Sequence, residues 1–467
     1  MRPGKLLRQA LLLRRARRAL AGPYWLGVVD ARPLALFRMA LALVVIVDAL
    51  DRLIDLRVFY TDEGILPRAL LRQLFGAALR VPTALVLGTP AQACLLLAIG
   101  STAALLLGLG VFTRAASIVV WLYLLTIVGR NPFITDGGDD MLLAMSFWAM
   151  FADLEAVWSL RPGPPRARVE ALPVRLLECQ VALVYLAAAV AKSGPGWRSG
   201  EALFHVLQNN DFARPLGMAM TRWPMLCAFF TFATLATELL FAPLLFSPWK
   251  PQVTRAVAAA TAALMHLGIG LFLRVGMFTF VMLASLCLLV PAAWLGRSLA
   301  AVPLPPDEPA RRTPAARARA VALTLVLAAV AVTALAPRRT PRPLLRALFH
   351  CGLAQAWTMF APDGAPYDGY WSATGILADG RTIDPLRQLA PEMLPQASLR
   401  FSRWYKLRDN MVGEPSLQLL LLRYACRRME SPPLVEATLR HWQRPTRRPG
   451  QAPQRFLLDS AQRWRCR

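Results

Sequence analysis

The stretch Tyr185-Leu-Ala-Ala-Ala-Val-Ala-Lys192-Ser-Gly-Pro-Gly-Trp197 closes a long apolar run. The run behind it, 172–192, has the ~20 mainly apolar residues that a helix needs to cross ~30 Å of hydrocarbon. Lys192 stands at its end. Of 53 cationic side chains only Lys5, Lys192, Lys250 and Lys406 are lysines. Under that bias a position needing only positive charge would carry arginine. An ammonium, unlike a guanidinium, can lose its proton when desolvated and then act as a base. Two readings stay open from position alone: a cation snorkelling to the membrane surface, or a base.

Working outward, comparable apolar stretches predict helices near 33–53, 91–112, 115–130, 140–157, 223–247, 253–273, 275–296 and 318–336. With 172–192 they make a mainly α, polytopic membrane bundle of about nine transmembrane helices. Composition agrees, at 56% hydrophobic residues and a mean hydropathy of +0.42. A formal charge of +25 would point to nucleic acid in a soluble protein. Here the arginines cluster in loops between apolar runs, so orientation and anionic lipid explain them. No basic stretch is interleaved with aromatics for base stacking, so the expected partner is the lipid bilayer and not nucleic acid.

Residues 1–22 carry seven cations and no acid. No small-residue cleavage site ends the apolar run that follows, so they read as a basic cytoplasmic arm and not a signal peptide. Residues 23–300 form the transmembrane domain, and 301–336 a Pro/Arg linker (297–318 reads as extended) with the last transmembrane helix. Segment 57–82 is expected at the interface. With the N-terminus inside, the inner loops carry Arg161, Arg166, Arg168, Lys250, Arg255, Arg297, Arg311, Arg312 and Arg317, while the outer 131–140 loop holds Asp136, Asp139 and Asp140. Nine crossings place 337–467 outside as a small extracytoplasmic α+β domain. Within it, Asp379-Gly380 predicts a hairpin turn in Tyr370–Ile383, 416–430 reads as an amphipathic helix, and Val435–Gln443 as a strand. Cys94, Cys179, Cys227 and Cys287 lie in apolar segments and are expected to be small buried residues, and no Cys/His spacing suits a metal. If the tail faces an oxidising compartment, Cys426–Cys466 is the expected disulfide.

Charge at mid-bilayer costs roughly 2.5–3.5 kcal/mol per ion, so residues that incur that cost need a reason. Arg38, Glu178, Lys192, Glu238 and His266 are the candidates. Arg38 and Glu178 lie near helix starts, where snorkelling or helix-end pairing suffices. Glu238 lies deep in Phe229-Phe-Thr-Phe-Ala-Thr-Leu-Ala-Thr-Glu238-Leu-Leu-Phe-Ala-Pro243, tolerable only if protonated or paired with a cation. His266 occupies a similar position and reads either as an interhelical hydrogen-bond partner or as a functional group. Lys192, Glu238 and His266 sit on three different predicted helices. Brought together, they would form a water-poor pocket able to hold a lysine neutral near pH 7 as a general base.

At these residues the chain resembles a family. His266-Leu-Gly-Ile-Gly-Leu-Phe-Leu-Arg-Val-Gly276-Met-Phe-Thr-Phe-Val-Met-Leu-Ala-Ser285 is similar to a stretch of the vitamin K-dependent γ-glutamyl carboxylases and their bacterial relatives, the HTTM (horizontally transferred transmembrane domain) proteins. Tyr185…Lys192…Trp197 parallels their segment with two adjacent lysines, Lys192 matching the second, the catalytic base. Phe147…Asp153…Trp158-Ser159 keeps the family spacing, and Arg130-Asn131-Pro132…Gly137-Gly138-Asp139 is typical of the bacterial members. The resemblance covers about 30 to 296. More weakly, Gln355-Ala-Trp357-Thr-Met-Phe360-Ala-Pro362 looks like the extracytoplasmic extension of some bacterial members.

The resemblance implies Lys192 as base, with His266, Glu238, Trp197, Asp139 and Asn131 supporting its pocket. It implies a reduced menaquinone- or vitamin K-type quinol with O₂ and CO₂ as cofactors, no metal, and a bacterial inner-membrane location. In the family, a neutral lysine deprotonates the quinol, which reacts with O₂ to give a base strong enough to remove a γ-proton from a peptide glutamate. The carbanion then takes CO₂. Two positions depart from the pattern: Ala191 replaces the first lysine, and Gly138 stands where the animal carboxylases carry a His implicated in carboxylation. Quinol deprotonation therefore transfers better than carboxylation.

Three functions follow as expectations. The first is quinol-dependent carboxylation or oxygenation of a peptide or small substrate. The second is a non-redox role in maturation or export of a secreted peptide, as some HTTM relatives play. The third, transport, would need inverted repeats with paired broken helices, and none is found.

Overall fold

The computed structural model describes residues 22–160, 165–296, 313–393 and 402–466. The basic arm, Arg161, Arg297, Arg311, Arg312 and most of the Pro/Arg linker lie outside the described residues.

Among the described residues, nine segments run between the two ends of a helix bundle: α1 (Arg32–Ile54), α2 (Pro90–Leu109), α3 (Thr113–Arg130), α4 (Gly137–Ala149), α5 (Ala171–Ala191), α6 (Pro224–Leu245), α7 (Pro251–Phe272), α8 (Phe278–Leu286) and α9 (Pro314–Leu335). Seven of them, all but α4 and α8, have at least 18 residues and are apolar enough to cross a membrane. The protein is thus a multi-pass bundle whose environment is the lipid bilayer.

Helix α4 has 13 residues and α8 has 9, against the longer spans expected at 140–157 and 275–296. Both stop early for local reasons. Beyond α4, the Leu154 and Trp158 carbonyls accept from buried Arg38 on α1, at 2.6 and 2.5 Å, and the chain leaves the helix to present them. Beyond α8, a 3₁₀ turn at Cys287–Leu289 leads to Pro291, which cannot continue a helix. Both segments still traverse. The first turn of α4 places Asp139 against Arg52 near the end of α1, whereas Trp158 meets Arg38 near its start. Past α8, the Gly296 carbonyl reaches Arg32 at the start of α1, 2.5 Å away.

The first end also holds a short antiparallel pair, β1 (Val28–Asp30) with β2 (Arg168–Glu170). The second end carries short helices at Leu56–Tyr60 and Arg68–Phe75, in the segment expected at the interface, and the whole tail. There, α10 (Arg342–His350) precedes a sheet of order β4-β3-β5-β6, made of β3 (Tyr367–Leu377), β4 (Thr382–Ile383), β5 (Leu434–Pro445) and β6 (Leu457–Arg465). Gly380, at φ +82°, makes the turn between β3 and β4, a conformation that glycine adopts without strain. Helices α11 (Arg403–Asn410) and α12 (Pro415–Arg428) flank the sheet, and a Cys426–Cys466 disulfide ties α12 to the residue after β6.

The tail shares its core with the bundle. The Arg403 guanidinium contacts Asp48 of α1 at 2.8 Å and Asp139 of α4 at 3.2 Å, with Arg52 completing the cluster. Trp404 packs edge-on to Phe59, with ring centres 4.9 Å apart. Gln355 exchanges hydrogen bonds with Gln180 in the middle of α5.

Candidate functional site

Helix α5 presents Tyr185 and Lys192 on one face, seven residues or two helical turns apart. Helix α6 contributes Glu238 and α7 His266. The Lys192 ammonium lies 2.7 Å from Glu238 Oε1, and the two side chains are only 5% and 7% exposed. Lys192 Nζ also lies 3.5 Å from the Ala188 carbonyl and 5.2 Å over the Trp197 ring. The carboxylate deep in α6 therefore has the cation it needed. Tyr185 and His266 form a second pair, hydroxyl to Nε2 at 2.9 Å. Phe241 and Phe278 hold these two rings in place.

Both pairs line one cavity of about 670 Å³. Trp197, Phe278 and Trp357 give it aromatic walls, while Asp136, Asp211, Arg274 and Tyr405 line its polar part toward the tail. Among the buried polar atoms on its lining residues that lack a hydrogen-bond partner are Glu238 Oε2 and His266 Nδ1 within the bundle and Tyr405 Oη at the polar part. An unpartnered buried polar atom costs about 1–3 kcal/mol, so each marks a place where a ligand's hydrogen bond would be stabilising.

The carboxyls at the polar part are perturbed. Asp136 caps α4 by accepting from the Gly138 and Asp139 amides. Burial, reinforced by the Asp139 charge, holds its carboxyl above the ordinary range. Burial also pushes Asp211 up to about 6, against the pull of the Arg408 guanidinium beside it.

Two expected pocket residues are elsewhere. Asn131 accepts from the Phe133 amide and donates to the Phe59 carbonyl, bracing the loop before α4. Asp139 is consumed by the Arg52–Arg403 cluster. Neither lines the cavity, because the Arg130–Asp139 segment folds into the scaffold of the second end. Arg130 likewise donates to the Leu87 and Leu66 carbonyls, both at 2.7 Å. Asp136 and Gly137 of that segment, and Asp140 just after it, do reach the cavity. Arg38 and Glu178 stand apart from it, Glu178 being paired with Arg175 and Arg255 at 2.7 and 2.5 Å.

Gly138 has a steric reason to be glycine. A Cβ there would lie 2.6 Å from the Phe278 backbone nitrogen and 2.9 Å from the Met277 carbonyl carbon. The close approach of α4 to the start of α8 leaves no room for a histidine.

Tyr185 was missed as a site residue, although its two-turn spacing from Lys192, which puts both on one helix face, could have marked it. Asp211 and Tyr405 carried no local signal, and Trp357 stood out only within the weaker resemblance of the tail. Trp357 and Tyr405 reach the cavity only because the tail docks on the bundle, whereas Asp211 comes from the connection between α5 and α6.

A multi-pass bundle with a dry Lys–Glu pair in an aromatic-walled cavity is therefore the class that fold and site define. The HTTM domain model matches residues 28–294, more than half of the chain, and the chain belongs to that family. No curated protein and no solved structure matches it.

Proposed function

We propose that this chain is a membrane enzyme that binds a reduced menaquinone- or vitamin K-type quinol in the Lys192 cavity, with Lys192 as the base for a phenolic proton. The observation that carries this reading is the Lys192–Glu238 pair, buried at 2.7 Å in a largely apolar cavity. The fit to a quinol rests on the chamber itself. Trp197, Trp357 and Phe278 suit a flat aromatic ring, about 670 Å³ holds one, and Glu238 Oε2 and His266 Nδ1 lack partners. When bound, such a quinol supplies acidic phenol groups and electrons for the reduction of O₂.

The protein's own part is proton management. Lys192 would act as a base by first passing a proton to Glu238 Oε1, 2.7 Å away, a transfer that removes both charges from a site that excludes water. Lys192 Nζ would then hold one proton taken from a phenol hydroxyl, with Glu238 beside it as a neutral acid. Trp197 stabilises that ammonium through its ring face. Tyr185 fixes His266 as the second polar point of the wall.

Oxygenation is favoured over CO₂ fixation, because Gly138 has no space for the carboxylation His. The acceptor, a secreted peptide or a small molecule, would enter through the polar part near Asp211 and Tyr405. We place the protein in a bacterial inner membrane, N-terminus cytoplasmic and tail extracytoplasmic. Arg166, Arg168, Lys250, Arg255 and Arg317 at the first end and the tail disulfide support that orientation.

A second reading, a non-redox factor for maturing or exporting a secreted peptide, is favoured by the polar opening between bundle and tail, which needs no quinol. Purified protein incubated in detergent with menaquinol, O₂ and CO₂ separates the two. Quinone epoxide detected by mass spectrometry supports the enzyme. Its absence, where a carboxylase control forms it, favours the second reading.

A further inference from the structure

Helix α9 reaches the second end at Leu335 and is followed by Pro337-Arg338-Arg339-Thr340-Pro341-Arg342-Pro343-Leu344-Leu345-Arg346. Arg338, Arg339, Arg342 and Arg346 are all exposed, and among the described residues none makes an ion pair or a side-chain hydrogen bond. No acidic residue occurs between 336 and 350.

The rest of α10 is firmly held. Leu348 is buried with Leu183 of α5 and Val330 of α9, both inside membrane-spanning helices. The Arg80 guanidinium stacks 4.6 Å over the Phe349 ring, and His350 Nδ1 lies 2.7 Å from the Arg80 carbonyl. The apolar side of α10 therefore sits at hydrocarbon depth, and its arginines point away from it, at the level of lipid headgroups.

As it stands the arrangement is electrostatically unfavourable. Arg342 and Arg346 are four residues apart on one helix face, where like charges repel. Arg342 also lies in the first turn, where the helix dipole disfavours a cation. Bound phosphate would reverse both effects, and the planar guanidinium fork suits it bidentately. A free anion would need no membrane-embedded anchor, whereas a headgroup phosphate is delivered to this depth by the bilayer itself.

We propose that Arg338, Arg339, Arg342 and Arg346 form a binding surface for the headgroup phosphates of anionic phospholipids in the leaflet at the tail end. The full chain is reconstituted in nanodiscs of phosphatidylglycerol and phosphatidylcholine, extracted in neutral detergent, and its retained lipids counted by native mass spectrometry. The wild type retains phosphatidylglycerol preferentially. R338Q/R339Q/R342Q/R346Q loses that preference by roughly fivefold per arginine removed, while the fourfold Arg→Lys variant keeps most of it. Equal retention of both lipids by the wild type, or an unchanged preference in the Gln variant, overturns the proposal. So does full loss of the preference in millimolar inorganic phosphate, which would make this a site for the free ion. If the fourfold variant does not fold, R338Q/R339Q, outside the helix, carries the same test at half the effect.

Discussion

Replacing Arg403 by Met tests whether the tail is built into the bundle. Arg403, Arg52, Asp48 and Asp139 come from α11, α1 and α4, and each is no more than 3% exposed. Two guanidiniums face two carboxylates, with Asp51 at the rim, 3.9 Å from Arg403 Nε. Arg52 also donates to Tyr60 Oη at 2.9 Å. Arg403→Met removes one cation and leaves an excess carboxylate in a dry site, an imbalance that costs about 3–5 kcal/mol. Asp48→Asn alone leaves the opposite imbalance. The double variant restores neutrality, with Arg52 still on Asp139, so it should be no less stable than R403M alone. Thermal unfolding in a mild detergent, followed by limited proteolysis of the tail, reads all three. R403M should melt several degrees low and release the tail early, and R403M/D48N should recover. Losses that simply add, or an R403M that melts like wild type, would refute the reasoning.

Gly138→Ala should destabilise by about 1–3 kcal/mol, because its Cβ meets the Phe278 backbone, and melting temperature checks it. The raised Asp211 carboxyl means that the folded state holds its proton between the unfolded value of 3.8 and about 6. Stability should therefore be highest below that window and fall by about 3 kcal/mol as pH rises through it, and D211N should flatten a denaturation–pH profile there. Cys351 is exposed at the second end, whereas Cys426 and Cys466 are bonded. With the tail outside, a membrane-impermeant maleimide labels Cys351 in intact cells and the other two only after reduction; labelling that requires permeabilised cells reverses the orientation.

Most of the bundle was legible because a bilayer imposes one rule on every crossing, about 20 apolar residues in helical form. Helices α1, α5 and α7 begin and end within about two residues of the apolar runs, the usual uncertainty of helix ends. The two short crossings were not legible in length. Their early ends are set by Arg38 and Pro291, tertiary and local constraints that hydropathy does not see. Glu238 announced a partner by its cost at mid-membrane, and Lys192 was the cation in reach. Asp139 misled because a buried carboxylate reads alike whether it serves a ligand or a scaffold. Only the position of Arg403, more than 260 residues away, decides between them. Strand β6 and helix α11 lay hidden in arginine-rich sequence, where their apolar sides are few and far apart.

The base assigned to Lys192 is tested most directly by comparing wild type with Lys192→Arg, each first shown to insert and to quench tryptophan fluorescence on adding menaquinol. Epoxide formation is then timed under O₂. A general base contributes about 10²–10⁴-fold, and arginine cannot deprotonate, so the variant should bind the quinol yet turn it over at least ~100-fold more slowly. Equal rates in the two proteins would contradict the account and leave Lys192 a structural anchor for Glu238.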